Sequence, residues 1–209
     1  LMNAYGLTEA MTVVSVTPVF GDRRWPSIGR PAIQREVRLV DSDGQPVPVG
    51  EVGEITVHGR PGFTLMQGYY KNPDATAEAI RDGWLHTGDL GRMDRDGYLY
   101  YVDRVKDMIK RAGENVSAAE VEAVLMSHPQ IVEVAVIGVP DAIRDEAVKA
   151  FVVAAPGSGL TADAVTEYCR ERLAGFKVPT VIEFREELPH TSVGKVEKKR
   201  LRTAQPVAR

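Results

Sequence analysis

Two apolar runs, Ile131 to Val139 and Val148 to Ala154, constrain this chain most. Both are rich in β-branched residues and carry few polar interruptions, the pattern of strands at the centre of a sheet. Helical segments surround them. Ser117-Ala118-Ala119-Glu120 is a capping box that opens a helix with Val121, Val124 and Leu125 on one face, and Pro129 stops it. A second helix is expected from Thr161 to about Leu173, and Thr180 to Phe184 is a further strand candidate. Alternating elements of this kind make a small α+β domain built around one sheet.

Residues before about position 103 have a different texture. Glu36 to Val40 and Glu54 to His58 alternate with period two, and Asp41 to Gly44 and Pro46 to Gly50 between them supply turn residues. Gly91 to Tyr101 reads as a hairpin connected through Asp94-Arg95-Asp96-Gly97. One short helix interrupts, with Asn72 as its cap and Pro73 at its first position. The expected fold class is therefore α+β, with a β-rich region over residues 1–103 followed by a small α+β domain over 104–209.

The chain has 209 residues, 44% hydrophobic and 26% charged, which is ordinary for a soluble globular protein. A net charge of -3 gives no reason to expect nucleic acid or an anionic membrane as partner. No apolar run is long enough to span a bilayer, and no secretory signal is present. The single cysteine, Cys169, cannot form an internal disulfide and suits a reducing cytoplasm. It follows the helical pattern Val165, Cys169, Leu173, so a buried structural thiol is expected. One Cys and four scattered His make no zinc site. His128, beside Pro129, reads as a helix-end residue, and neither it nor His86 is assigned catalysis. The late basic cluster of Lys195, Lys198, Lys199, Arg200 and Arg202 reads either as a solvated helix or as a local attraction for phosphate.

Four strings carry chemistry. Asp89 lies in Thr87-Gly88-Asp89-Leu90-Gly91, where an ionised carboxylate can accept from both hydroxyls of a ribose and flanking glycines let backbone approach a ligand. Fourteen residues later comes Asp103-Arg104, and the Arg104 guanidinium can bind the same ribose and a phosphate oxygen. Tyr5-Gly6-Leu7-Thr8-Glu9 stands ahead of both, and Leu188-Pro189-His190-Thr191-Ser192-Val193-Gly194-Lys195 closes the series.

In order and spacing these strings resemble the C-terminal portion of the adenylate-forming enzymes, which include acyl-CoA synthetases, peptide-synthetase adenylation domains and beetle luciferases. The tail Leu173-Ala174-Gly175-Phe176-Lys177-Val178-Pro179 resembles the acyl-CoA ligase branch. Within it, Arg23 to Arg30, Met108 to Arg111 and Ile143 to Glu146 resemble the crotonobetaine/carnitine-CoA ligase group. The resemblance implies ATP, Mg²⁺ and CoA as reactants and metal, with a small-molecule carboxylate as the acyl substrate. Carboxylate and ATP would give acyl-AMP and pyrophosphate, and CoA would then displace AMP.

It also implies roles for particular residues. Tyr5 would lie against adenine, Gly6 would belong to the same nucleotide site, Thr8 would approach the α-phosphate and Glu9 would hold Mg²⁺. Asp89 and Arg104 would bind the ribose. Lys195 would be catalytic, bridging the acyl carboxylate and the α-phosphate as negative charge develops there. Lys106 matches the hinge about which the family's small domain alternates. Arg111, Ala112 and Gly113 match the CoA channel, although Ala112 stands where a second glycine is common and Asp103 where glycine is common. The family's phosphate loop and acyl pocket precede the Tyr-Gly-x-Thr-Glu string, whereas here Leu1 stands four residues before Tyr5. The chain is thus expected to be part of a longer enzyme, to pair with an N-terminal portion of its own chain and to be inactive alone. A fatty-acyl or aryl-CoA ligase, or a non-catalytic nucleotide-binding fragment, stays open as an alternative.

Overall fold

The computed structural model describes residues 2–192 and 194–203. It divides into two compact units, Leu1–Lys106 and Asp107–Arg209. Among the described residues no helix is long and apolar enough to cross a membrane.

The first unit holds two antiparallel sheets. One has the order β1 (Ala4–Leu7), β2 (Thr12–Val16), β3 (Arg30–Pro31). The other runs β4 (Glu36–Val40), β5 (Val52–His58), β7 (Trp84–Met93), β6 (Ile80–Arg81), with β8 (Leu99–Arg104) also paired to β7. The period-two segments form β4 and β5 because one face of each is apolar: Leu39, Ile55 and Leu99 make one buried cluster, and Val14, Val57, Leu65 and Leu85 another. Tyr5 packs against both clusters. Helix α1 (Pro73–Ala79) starts where Asn72 and Pro73 predict, with Asn72 Oδ1 accepting from the Ala75 amide at 3.2 Å.

The second unit is one five-stranded sheet in the order β10 (Glu114–Ser117), β9 (Met108–Arg111), β12 (Asp145–Ala154), β11 (Ile131–Asp141). Strand β13 (Val181–Phe184) adds to β12 in parallel. The two apolar runs are β11 and β12, paired antiparallel, and their residues sort by parity. Val134, Val136, Val148, Ala150 and Val152 join Val121 and Leu125 of α2 (Ala118–Met126) and Val165 and Cys169 of α3 (Ala162–Arg170). Ala135, Ile137 and Phe151 face the other way and are covered by Leu188 and by Leu201 of α4 (Lys198–Thr203). A sheet covered on both faces explains runs with so little alternation, and each buried aliphatic side chain contributes about 1.5–3 kcal/mol.

The capping box is present, with Ser117 Oγ accepting from the Glu120 amide at 3.1 Å. Helix α3 stops at Arg170, three residues short of Leu173, because the chain tightens there and leads into a 3-10 turn at Gly175–Lys177. Cys169 is fully buried, and burial pushes its thiol up to about 11. Two of the five late basic residues are paired, Lys198 Nζ at 2.7 Å from Glu122 and Arg202 Nη2 at 2.7 Å from Asp107, and Lys195, Lys199 and Arg200 are exposed. The solvated-helix reading thus fits them better than a phosphate patch.

Candidate functional site

A register break displays Asp89. On β5 and β7, Glu54 pairs with Leu90 and Thr56 with His86, so Thr87, Gly88 and Asp89 stand opposite Ile55 alone. The extra residues bulge out of the ladder. Gly88 takes a φ of 70°, and Thr87 Oγ1 pins the bulge by donating to the Ile55 carbonyl at 2.7 Å and accepting from the Asp89 amide at 3.1 Å.

The Asp89 side chain is buried among donors. Its Oδ2 accepts from the Tyr5 hydroxyl at 2.6 Å, and its Oδ1 accepts from Arg104 Nε at 3.2 Å across the β7–β8 pair. Burial first, and donation to Asp89 second, hold the Tyr5 phenol far above its ordinary value, so it remains a donor. Each carboxylate oxygen keeps a second lone pair for a further hydroxyl. Arg104 is half-exposed and, among the described residues, engages only its Nε. Asp89 and Arg104, expected together, thus form one cluster that also takes in Tyr5, which was expected at adenine.

Gly6 has a structural reason of its own: a Cβ there would stand 2.8 Å from the Thr12 carbonyl on the paired strand β2. Thr8 and Glu9 lie in the 3-10 turn Thr8–Ala10, with Thr8 exposed. Glu9 Oε1 accepts from the Tyr69 hydroxyl at 2.9 Å, and the Glu9 carbonyl accepts from the Met66 amide at 2.7 Å. Burial and then the bond to Glu9 raise Tyr69. Among the described residues no three His, Cys, Asp or Glu converge as a metal cage. A lone carboxylate suits Mg²⁺, which is commonly held by one or two carboxylates together with substrate phosphates.

In the second unit, β9 and β10 form a two-residue hairpin whose turn is Ala112 and Gly113, at φ 50° and 84°. Two successive left-handed residues give the primed turn that suits strand twist. Arg111 is buried, and its Nη1 donates to the carbonyls of Phe176 at 2.6 Å and Val178 at 3.1 Å. Burial, then the nearby Arg144 charge, lowers this guanidinium. Its visible task is to tie the hairpin to the Gly175–Lys177 turn, while Ala112 and Gly113 are exposed.

Lys195 lies on a separate loop. His190 and Val196 bridge its two ends, the Thr191 amide donates to the Lys195 carbonyl at 2.8 Å, and the Lys195 amide donates to Thr191 Oγ1 at 3.2 Å. His190 Nε2 meets Glu133 Oε1 at 2.6 Å. The Lys195 side chain is exposed and makes no ion pair among the described residues. Lys106 is the last residue of the first unit, within the 3-10 turn Val105–Asp107.

Residues 1–70 match the family model of the AMP-binding enzyme, and residues 120–195 match that of the AMP-binding enzyme C-terminal domain. The chain belongs to the AMP-binding enzyme family. It is 51% identical over 202 residues to a crotonobetaine/carnitine–CoA ligase of Proteus mirabilis, covering 96% of this chain and 39% of that protein. A protein of the same name from Salmonella typhimurium is 46% identical, covering 97% and 39%. Among solved structures, ATP-bound MatB from Rhodopseudomonas palustris superposes with a TM-score of 0.85 at 35% identity, covering 97% of this chain and 40% of the other. The o-succinylbenzoate CoA synthetase (MenE) of Bacillus subtilis with its acyl-adenylate gives 0.87 at 35%, covering 98% and 41%. The chain thus spans about two-fifths of the length of the relatives it matches.

Two polar residues escaped the reading of the motifs. Tyr69, in Gly68-Tyr69-Tyr70, reaches Glu9 across 60 positions. Glu54, in the strand motif Gly53-Glu54-Ile55, places its carboxylate against the bulge, and as one polar position of an alternating strand it carried no signal of that role.

Proposed function

We propose that this chain is the C-terminal portion of an ATP-dependent acyl-CoA ligase that acts on carnitine or crotonobetaine. The observation that carries the proposal is the Asp89 carboxylate, presented on a bulge with Tyr5 on one oxygen and Arg104 on the other. That arrangement suits a nucleoside diol, since an anionic acceptor can take both hydroxyls while Arg104 turns its remaining nitrogens to phosphate. Glu9, steadied by Tyr69, would hold Mg²⁺ beside the phosphates, and the ion would neutralise charge on the leaving pyrophosphate.

Lys195 then stabilises the charge that develops as the substrate carboxylate attacks the α-phosphorus. Rotation of the second unit about Lys106 withdraws that lysine and presents the Ala112–Gly113 turn, past which the CoA thiol reaches the acyl-adenylate. The exposed turn suits a channel wall, with Arg111 acting from behind as its anchor. The substrate assignment rests on the 51% identity to the Proteus mirabilis ligase. Full-length protein given ATP, Mg²⁺ and CoA should release AMP with carnitine or crotonobetaine in preference to benzoate and long-chain fatty acids. Preference for an aromatic acid would overturn the substrate, and AMP release with no carboxylate would overturn the ligase reading.

A further inference from the structure

The bulge at Thr87 to Asp89 takes backbone groups out of the β5–β7 ladder, and something must replace the lost bonds. Glu54 does so. Its Oε1 accepts from the Gly88 amide at 2.9 Å, and its Oε2 meets His86 Nδ1 at 2.8 Å. A carboxylate only accepts, so the Nδ1 position of His86 carries the proton. One side chain therefore grips the residue at the start of the bulge and the glycine at its apex. Both side chains are largely shielded, at 18% exposure for Glu54 and 14% for His86.

We infer that Glu54, held by His86, is the positioning residue that fixes Asp89 for ribose. The inference rests on the nucleotide reading of Asp89. Gly88 is left-handed, and a Cβ built on it would meet nothing within 4 Å, so packing does not hold this peptide in place. The Thr87 hydroxyl bonds the Asp89 amide, whereas the Gly88 amide donates to Glu54. Charge-assisted bonds to backbone amides are about twice as strong as neutral ones, so Glu54 adds a strong hold on the apex to the two bonds that Thr87 makes on either side of it. Removing the carboxylate frees the apex to rotate and carries Asp89, one residue on, away from Tyr5 and Arg104.

The test measures discrimination for the diol, a quantity that a general loss of stability does not move. Full-length wild type, Glu54→Ala, Glu54→Gln and Glu54→Asp are titrated calorimetrically with ATP and with 2′,3′-dideoxy-ATP, with folding checked by circular dichroism and a cooperative melt. Wild type should prefer ATP by about tenfold or more, and Glu54→Ala should abolish most of that preference. Glu54→Gln keeps an acceptor for the Gly88 amide and should retain the ratio to within about threefold. A folded Glu54→Ala protein that keeps the wild-type ratio overturns the inference and leaves Asp89 as the ribose ligand. A wild type without any preference overturns both. Should the alanine variant not fold, Glu54→Asp decides by the same ratio: its carboxylate is one methylene short of the Gly88 amide, so a lost preference supports the brace and a retained one overturns it.

Discussion

Asp89 in the first unit and Lys195 in the second are held in opposite ways. Asp89 is buried, with a donor on each oxygen and its peptide locked into a bulge by Thr87. Lys195 is exposed; its backbone is fixed by Thr191 while its ammonium extends without an ion pair among the described residues. The difference follows from what each group is proposed to do. A group that recognises a ground-state ligand gains from being set in place beforehand, because ordering it at the moment of binding would cost entropy. A cation that stabilises charge appearing only in the transition state gains from having no resident partner to give up.

The strongest test of that contrast is Lys195→Ala in full-length protein. Pyrophosphate exchange should fall by about 10²–10³, as on loss of a comparable transition-state donor, while CoA attack on supplied acyl-adenylate keeps its rate. Equal loss in both half-reactions would make Lys195 a structural residue and break the comparison. Asp89→Ala should act on binding instead, weakening ATP by about tenfold to a hundredfold in calorimetry as charge-assisted bonds are lost. A change in turnover with affinity intact would place Asp89 on the wrong side of the contrast.

The smallest effect concerns the interior of the second unit, whose closed packing sets off the open Lys195. Burial raises Cys169 from 9.0 to about 11, so the folded state disfavours its thiolate. Its contribution to stability is intact below about pH 9 and declines as pH rises toward about 11, because the unfolded chain releases the proton first. Urea midpoints measured across that range should fall more for the wild-type chain than for Cys169→Ala. Identical pH profiles would show the thiol to be accessible, and the core looser than its packing implies.

Local pattern made most of the architecture legible. The parity of β4 and β5, the Ser117 and Asn72 caps and the two apolar runs each depend on neighbours close in sequence. The β9–β10 hairpin did not announce itself, since its strands are four residues each and Ala112 occupies a left-handed position that usually signals Asn or Gly. Asp89 and Arg104 were legible as motif residues, and the structure adds that Tyr5 and Arg104 both donate to the Asp89 carboxylate. Glu54 was illegible for a physical reason: its partners lie 32 and 34 positions away and meet it only because the register slips by the width of the bulge. Arg111 shows the converse, a residue placed by its motif at a channel whose charge is spent on carbonyls of its own unit.

The covering of the sheet by Leu188 and Leu201 has a mechanical consequence. These two anchors flank the Lys195 loop and bury against Ile137 and Phe151, with Val196 packed beside them. The lysine therefore lies between two buried anchors. Both ends of its loop are thereby tied to the strands beneath it, so the proposed turn of the second unit would carry the loop along. In the proposed alternation the lysine would then travel with its domain, on the microsecond-to-millisecond scale of collective motion.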